Sequence, residues 1–202
     1  MKRINPIAWG IAGLLVALAA VVRIGAFEGL LPLPPNAAPM VGVALLAGVV
    51  LRSRALAIAV PLTAMAMSDA WIGTYNLPVM MTVYAALLVP VVLSRVVLVR
   101  DKLNLARLGG STLASSLVFF VSTNLAVWTF GGWYDHTWLG LTECFVAALP
   151  FLKYAVVGDL MWTSILFGIH AAATQSARQP GAVGRFSKPM AMGVAAAAVR
   201  DQ

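Results

Sequence analysis

Ser68-Asp-Ala-Trp-Ile-Gly-Thr-Tyr-Asn-Leu-Pro78 sets a carboxylate, Asp69, near the end of an otherwise apolar segment long enough to cross a membrane. A charge at that depth costs roughly 2.5–3.5 kcal/mol on insertion scales, so such a residue faces a bundle interior, a wet cavity or a partner. The chain is organised around what Asp69 faces.

Of the 202 residues, 61% are hydrophobic and 10% charged, and the mean hydropathy is +0.90. Those values lie outside the range of a soluble domain and point to an integral membrane protein whose main surroundings are the lipid bilayer. In a soluble chain the net charge of +7 would raise the question of nucleic acid. Here Lys2, Arg3, Arg52, Arg54, Arg95, Arg100, Lys102, Arg107, Arg178, Arg185, Lys188 and Arg200 all fall on one side of the expected spans, with Arg23 and Lys153 as the exceptions. The positive-inside rule then places both termini in the cytoplasm, and no nucleic-acid partner is needed to explain the charge. A single cysteine, Cys144, and two histidines, His136 and His170, leave no internal disulfide and no expectation of a metal or cofactor site. Lys2-Arg3 and the apolar run from Pro6 to Val22 look like the start of a signal peptide, but no small-residue cleavage site follows. The run reads as a retained first helix.

Apolar stretches near 6–27, 55–73, 78–99, 109–130 and 151–173 each reach the roughly 20 residues a crossing needs. A shorter run, 37–51, counts as a sixth. The expectation is an all-α integral membrane protein with a six-helix domain over 1–175 and a cytoplasmic tail over 176–202. Asn36, after two prolines and before an apolar run, is expected to be the N-cap of the second helix. Gly140 to Ala173 would be about 50 Å long as one helix, too long for one crossing. Pro150 is expected to divide it, with Leu139 to Leu149 along the outer face.

The polar groups within the spans collect at one end. Asp69, Tyr84, Asn124, Trp128 and Lys153 lie in the outer half, and Asp159 sits roughly 12 Å below Phe151 by helical rise. The inner halves offer only hydroxyls such as Thr63, Ser115 and Ser116, which can bond back to their own helix. A bundle polar at one end suits a blind pocket open to the outside, whereas a channel needs polarity throughout. Tyr75, Trp71, Trp133, Trp138, Met67, Met80 and Met81 would add flat and adaptable surface. Each of these has a plainer reading: belt anchors for the aromatics, snorkelling for Lys153, interhelical hydrogen bonding for Asn124 and Asp159. Asp69 and Lys153 are expected to sit close enough to offset each other's burial.

The elements Pro34-Pro-Asn36-Ala-Ala-Pro39, Ser68-Asp69, Thr123-Asn124-Leu-Ala-Val-Trp128, Ala148-Leu-Pro150-Phe and Gly158-Asp159-Leu resemble those of a bacterial six-helix membrane family. That family is similar to the substrate-binding S-components of energy-coupling-factor (ECF) vitamin transporters and to the cobalamin transporter BtuM. Over roughly residues 8–170 the resemblance implies a six-helix fold in the bacterial inner membrane, with an outward pocket capped by the loops after helices 1, 3 and 5. BtuM-like proteins carry a cobalt-binding cysteine between helices 3 and 4. Here Met80, Met81 and Thr82 stand in that region, against cysteine-ligated cobalt chemistry.

The reading that follows is a non-enzymatic binding protein for uptake of a vitamin or vitamin-like molecule, a corrinoid being the first candidate. Its binding set is Asn36, Asp69, Tyr75, Tyr84, Asn124, Trp128, Lys153 and Asp159. Ala8 and Ala12 on helix 1 form a small-residue face that packs against the chain's own helices or, as the resemblance implies, docks an ECF-type scaffold with its ATPase. A scaffold or assembly protein is the main alternative. An intramembrane enzyme is a further one, with Ser68 beside Asp69 the nearest approach to a nucleophile and base.

Overall fold

A computed structural model describes residues 5–99 and 102–178. The apolar runs fold as α1 (Pro6–Phe27), α2 (Met40–Val50), α3 (Arg54–Ile72), α4 (Leu77–Ala86), α5 (Leu88–Val97), α6 (Leu105–Phe130) and α7 (Trp138–Arg178). Two-residue strands, β1 (Leu98–Val99) and β2 (Lys102–Leu103), pair antiparallel between α5 and α6. Five helical segments, with α4 and α5 counted as one, are long and apolar enough to cross a membrane. One compact unit ends at Gly168; a second begins at Ile169 and is described as far as the last residue of α7. Beyond Arg178 the expected tail lies outside the described residues.

Helix starts follow their side chains. Asn5, Ser53, Asn76 and Asn104 each accept a hydrogen bond from a backbone N–H in the first turn of α1, α3, α4 and α6, satisfying donors that the helix leaves orphaned. Pro90 has no N–H for the carbonyl of Ala86, and the apolar segment Leu77–Val97 breaks at Leu87 into α4 and α5. Pro150 was expected to have a similar effect but does not: α7 is continuous over 41 residues with Pro150 inside it.

The run expected as a second span is only an 11-residue helix, α2. At 1.5 Å per residue it is about 16 Å long, roughly half the thickness of a bilayer core. All residues from Met40 to Ala47 are buried by their neighbours. The chain leading into it is irregular, and its depth is marked by α7: the Trp162 indole N–H donates to the Ala37 carbonyl at 2.7 Å, and Gly158 lies against the Ala37 backbone. Four prolines, Pro32, Pro34, Pro35 and Pro39, lie in this stretch. Each removes a backbone donor that would otherwise need a partner.

Asn36 is not the cap of α2, since Pro39 precedes that helix and no side chain caps it. Asn36 has φ 63°, the one left-handed non-glycine among the described residues, and the Ala37 N–H donates to the Pro34 carbonyl at 3.2 Å. Proline second and a left-handed residue third make a type II turn, for which asparagine serves where glycine usually would. The same two prolines that made Asn36 look like a cap instead fold it into this turn. Asn36→Gly is accordingly expected to leave stability within about 0.5 kcal/mol, and Asn36→Ala to cost roughly 1–2 kcal/mol. Equal thermal melts for the two variants would contradict the turn.

Ala12 and Ala19 of α1 are buried in the core formed with α2, α3 and α5, and Ala8 packs against the same cluster. Of the two readings of the small-residue stripe, the structure shows packing against the chain's own helices, with Ala12 buried and Ala8 partly so.

Candidate functional site

α1 and α3 run side by side, and near their C-terminal ends Arg23 reaches across to Asp69. Arg23 Nη1 lies 2.7 Å from Asp69 Oδ1 and 2.5 Å from Ser68 Oγ. The Tyr84 hydroxyl of α4 donates to the other carboxylate oxygen, Oδ2, at 2.9 Å. Ser68 accepts from Arg23 and donates back to its own helix, at the carbonyls of Ala64 and Met65. Asp69 is only 3% exposed, and each of its oxygens has a donor. A buried charge tolerates this because it is both paired and hydrogen-bonded. Ser68 is fully buried and hydrogen-bonded, so its hydroxyl is not offered as a nucleophile.

The expected partner of Asp69 was Lys153. Lys153 is instead exposed, and the counter-charge comes from Arg23. The sequence contained the signal for this, because Arg23 was one of two basic residues that broke the one-sided charge distribution. Arg23 offers five N–H donors, and only Nη1 is engaged among the described residues.

Beneath this cluster is a cavity of about 670 Å³. Its walls are Arg23 and Phe27 of α1, the turn from Leu33 to Ala38, Tyr75, residues of α4, and facing stretches of α6 and α7. Phe119, Phe120 and Phe151 supply aromatic surface; Asn36, Ser116, Thr123, Asn124 and Asp159 supply the polar groups. Asn124 turns its amide N–H₂ to the Phe120 carbonyl of its own helix at 2.7 Å. Tyr75 stands in the link between α3 and α4. Burial, and then the negative charge of Asp69, raise its phenol above the usual value against the opposing effect of Arg23. The hydroxyl therefore stays protonated and able to donate at neutral pH.

The cavity has a geometric origin in α6 and α7. At its upper end the Cys144 thiol approaches the Asn124 carbonyl at 3.5 Å; at its lower end the Ser116 hydroxyl meets Asp159 Oδ2 at 2.6 Å. Between these contacts α6 spends eight residues and α7 fifteen. That is about 12 Å of helix against about 22 Å, so α7 takes the longer path and the space between is left open. Pro150 lies within that longer path. Below it the helices close again, with the Thr112 and Thr163 hydroxyls 3.5 Å apart.

Of the expected binding residues, Asn36, Tyr75, Asn124 and Asp159 line this one cavity. Asp69 and Tyr84 stand behind Arg23 and hold it in place. Trp128 is directed elsewhere: its indole N–H donates to the Asp135 carbonyl at 3.0 Å, and its ring meets that of His136 edge to face, pinning the loop after α6. Among the described residues no group of three or more His, Cys, Asp or Glu is placed to hold a metal ion.

No match to this chain was found among curated proteins or solved structures. Residues 3–182 match the family of unknown function DUF6580. With nearly the whole chain covered, the protein belongs to the DUF6580 family.

Proposed function

We propose that this protein is a multi-pass protein of the bacterial inner membrane that binds a small vitamin-like molecule for uptake. The observation that carries the reading is irregular backbone, Leu33 to Ala38, lining a cavity midway along α7. Within a bilayer, non-helical backbone is tolerated only where protein buries it or where it borders a cavity.

The cavity has the size and character of small-ligand sites, which span about 300–1,000 Å³ and are mostly apolar with a few placed polar groups. A corrinoid, a macrocycle with a nucleotide arm, would overfill 670 Å³, so a smaller molecule suits the site better. The chain contains no phosphate-loop sequence of Gly, four residues and Gly-Lys-Ser/Thr. Net accumulation would therefore draw on an energy source other than that motif, either an ion gradient or a partner such as an ECF-type scaffold with its ATPase. With Ala8 and Ala12 turned inward, such a partner would meet other faces of the bundle.

Purification into lipid nanodiscs from cells grown on rich medium, followed by native mass spectrometry, tests the reading. The expected result is a small molecule retained one to one, with colour marking a corrinoid and fluorescence a flavin. A protein that arrives empty, in cells whose uptake is unchanged by deleting it, would refute the proposal. The proposed orientation, with both termini inside, carries its own expectation. Cysteines placed at Asp135 should label from outside and those at Asn104 only after permeabilisation, with the native Cys144 buried and silent. The reverse pattern would invert the topology.

A further inference from the structure

Among the described residues only two charged side chains line the cavity, Arg23 and Asp159. Arg23 is matched within the protein by Asp69 at 2.7 Å. Asp159 is not matched. It is 5% exposed, its Oδ2 meets the Ser116 hydroxyl at 2.6 Å, and no basic side chain among the described residues comes within ion-pair distance of it. Its Oδ1 accepts from nothing among those residues, yet it is not among the fully enclosed polar atoms left without a partner. That oxygen is therefore not fully enclosed, and Asp159 is one of the residues lining the cavity.

A carboxylate taken out of water without a counter-charge is costly. Asp69 shows how this fold meets that cost, with a cation on one oxygen and a hydroxyl on the other. Asp159 has the hydroxyl and lacks the cation. The cavity's other polar residues, Asn36, Ser116, Thr123 and Asn124, are neutral and supply no counter-charge.

We propose, on the reading that this cavity binds an uptake substrate, that the substrate is a small aromatic cation. Its protonated amine or amidinium completes the Asp159 site at Oδ1, and its ring lies among Phe119, Phe120 and Phe151. The charge-assisted hydrogen bond provides selectivity for charge, while the aromatic wall binds flat molecules with little regard to their other substituents.

Three probes sharing one indole frame test this: tryptamine as the cation, indole-3-propionate as the anion and indole-3-propionamide as the neutral form. Binding is measured calorimetrically at neutral pH to the full chain in lipid nanodiscs. The expected result is that tryptamine binds at least about ten-fold more tightly than either of the others, equivalent to roughly 1.4 kcal/mol. Asp159→Asn should remove that preference, bringing tryptamine to within about two-fold of the amide measured on the same variant. Ser116→Ala, which keeps the carboxylate, should retain it.

Equal binding of the three probes, or tighter binding of the anion, would overturn the proposal. So would a preference that survives in Asp159→Asn, since it would then come from the lipid. If no probe binds, the cation assignment also fails, while the uptake reading stands or falls separately on the molecule retained in the native mass spectrum. The comparison of probes on the unaltered chain decides the matter even if a variant fails to fold.

Discussion

Asp69→Ala is expected to lower the thermal midpoint of the purified protein by roughly 6–20 °C. The change leaves the Arg23 guanidinium beside Ser68 and Tyr84 with no counter-charge. Breaking a buried pair from one side typically costs about 3–5 kcal/mol, and a chain of this size loses about 2–4 °C per kcal/mol. Arg23→Ala should be similarly damaging because it leaves Asp69, 3% exposed, without its cation. Once one charge is gone, little remains for the second substitution to break. The double variant should therefore fall short of the sum by about 3 kcal/mol or more, at the upper end of pairwise couplings. Asp69→Ala combined with Lys153→Ala should instead be additive, because Lys153 is exposed and not the partner. Measured melts showing coupling to Lys153 and none to Arg23 would reverse the assignment.

Gly158→Ala and Gly109→Ala should shift stability in opposite directions. A Cβ at Gly158 would stand 2.7 Å from the Ala37 Cα and 2.9 Å from its Cβ. Those atoms belong to a proline-bounded turn and cannot swing aside as the end of a long side chain would. The turn must retreat from α7, stretching the 2.7 Å bond from Trp162 to the Ala37 carbonyl, at an expected cost of about 1–3 kcal/mol. Gly109 lies within α6 and a Cβ there meets nothing within 4 Å. Its replacement should gain roughly 0.5–1 kcal/mol by restricting the unfolded chain and favouring the helix. Equal or greater stability in the Gly158 variant would show that the close approach is not needed.

The helices were legible because their signals are local. Runs of apolar residues declare themselves over a few turns; the caps at Asn5, Ser53, Asn76 and Asn104 are equally local, though only Asn36 was read as one. The half-length α2 was not, because composition cannot separate a short helix buried by protein from a marginal span facing lipid. Both are uniformly apolar. Pro150 was misjudged for a related reason. A proline removes one hydrogen bond and breaks a helix only when packing does not hold it together, and packing is a tertiary property.

Asp69 was readable as a buried charge, since hydrocarbon makes every such group demand a partner. Which partner it takes depends on rotation about helix axes. Lys153 and Arg23 were both near enough in depth, and only the packing of α1 on α3 chooses between them. Asn124 and Asp159 were found by depth alone. Phe119 and Phe120 were overlooked because in an apolar helix an aromatic residue at a cavity wall looks the same as one facing lipid.

The seven-residue excess of α7 over α6 between their two anchoring contacts has a consequence for how such a cavity is stored in a gene. No individual codon specifies it. Substitution at Phe119 or Phe151 alters the texture of the wall, but the gap persists as long as the two tallies differ. Losing a single residue from the longer path would rotate everything beyond it by about 100°, carrying Asp159 away from Ser116 and redirecting the lower half of the helix. The compartment is thus written as an interval, resistant to point mutation and intolerant of insertion or deletion.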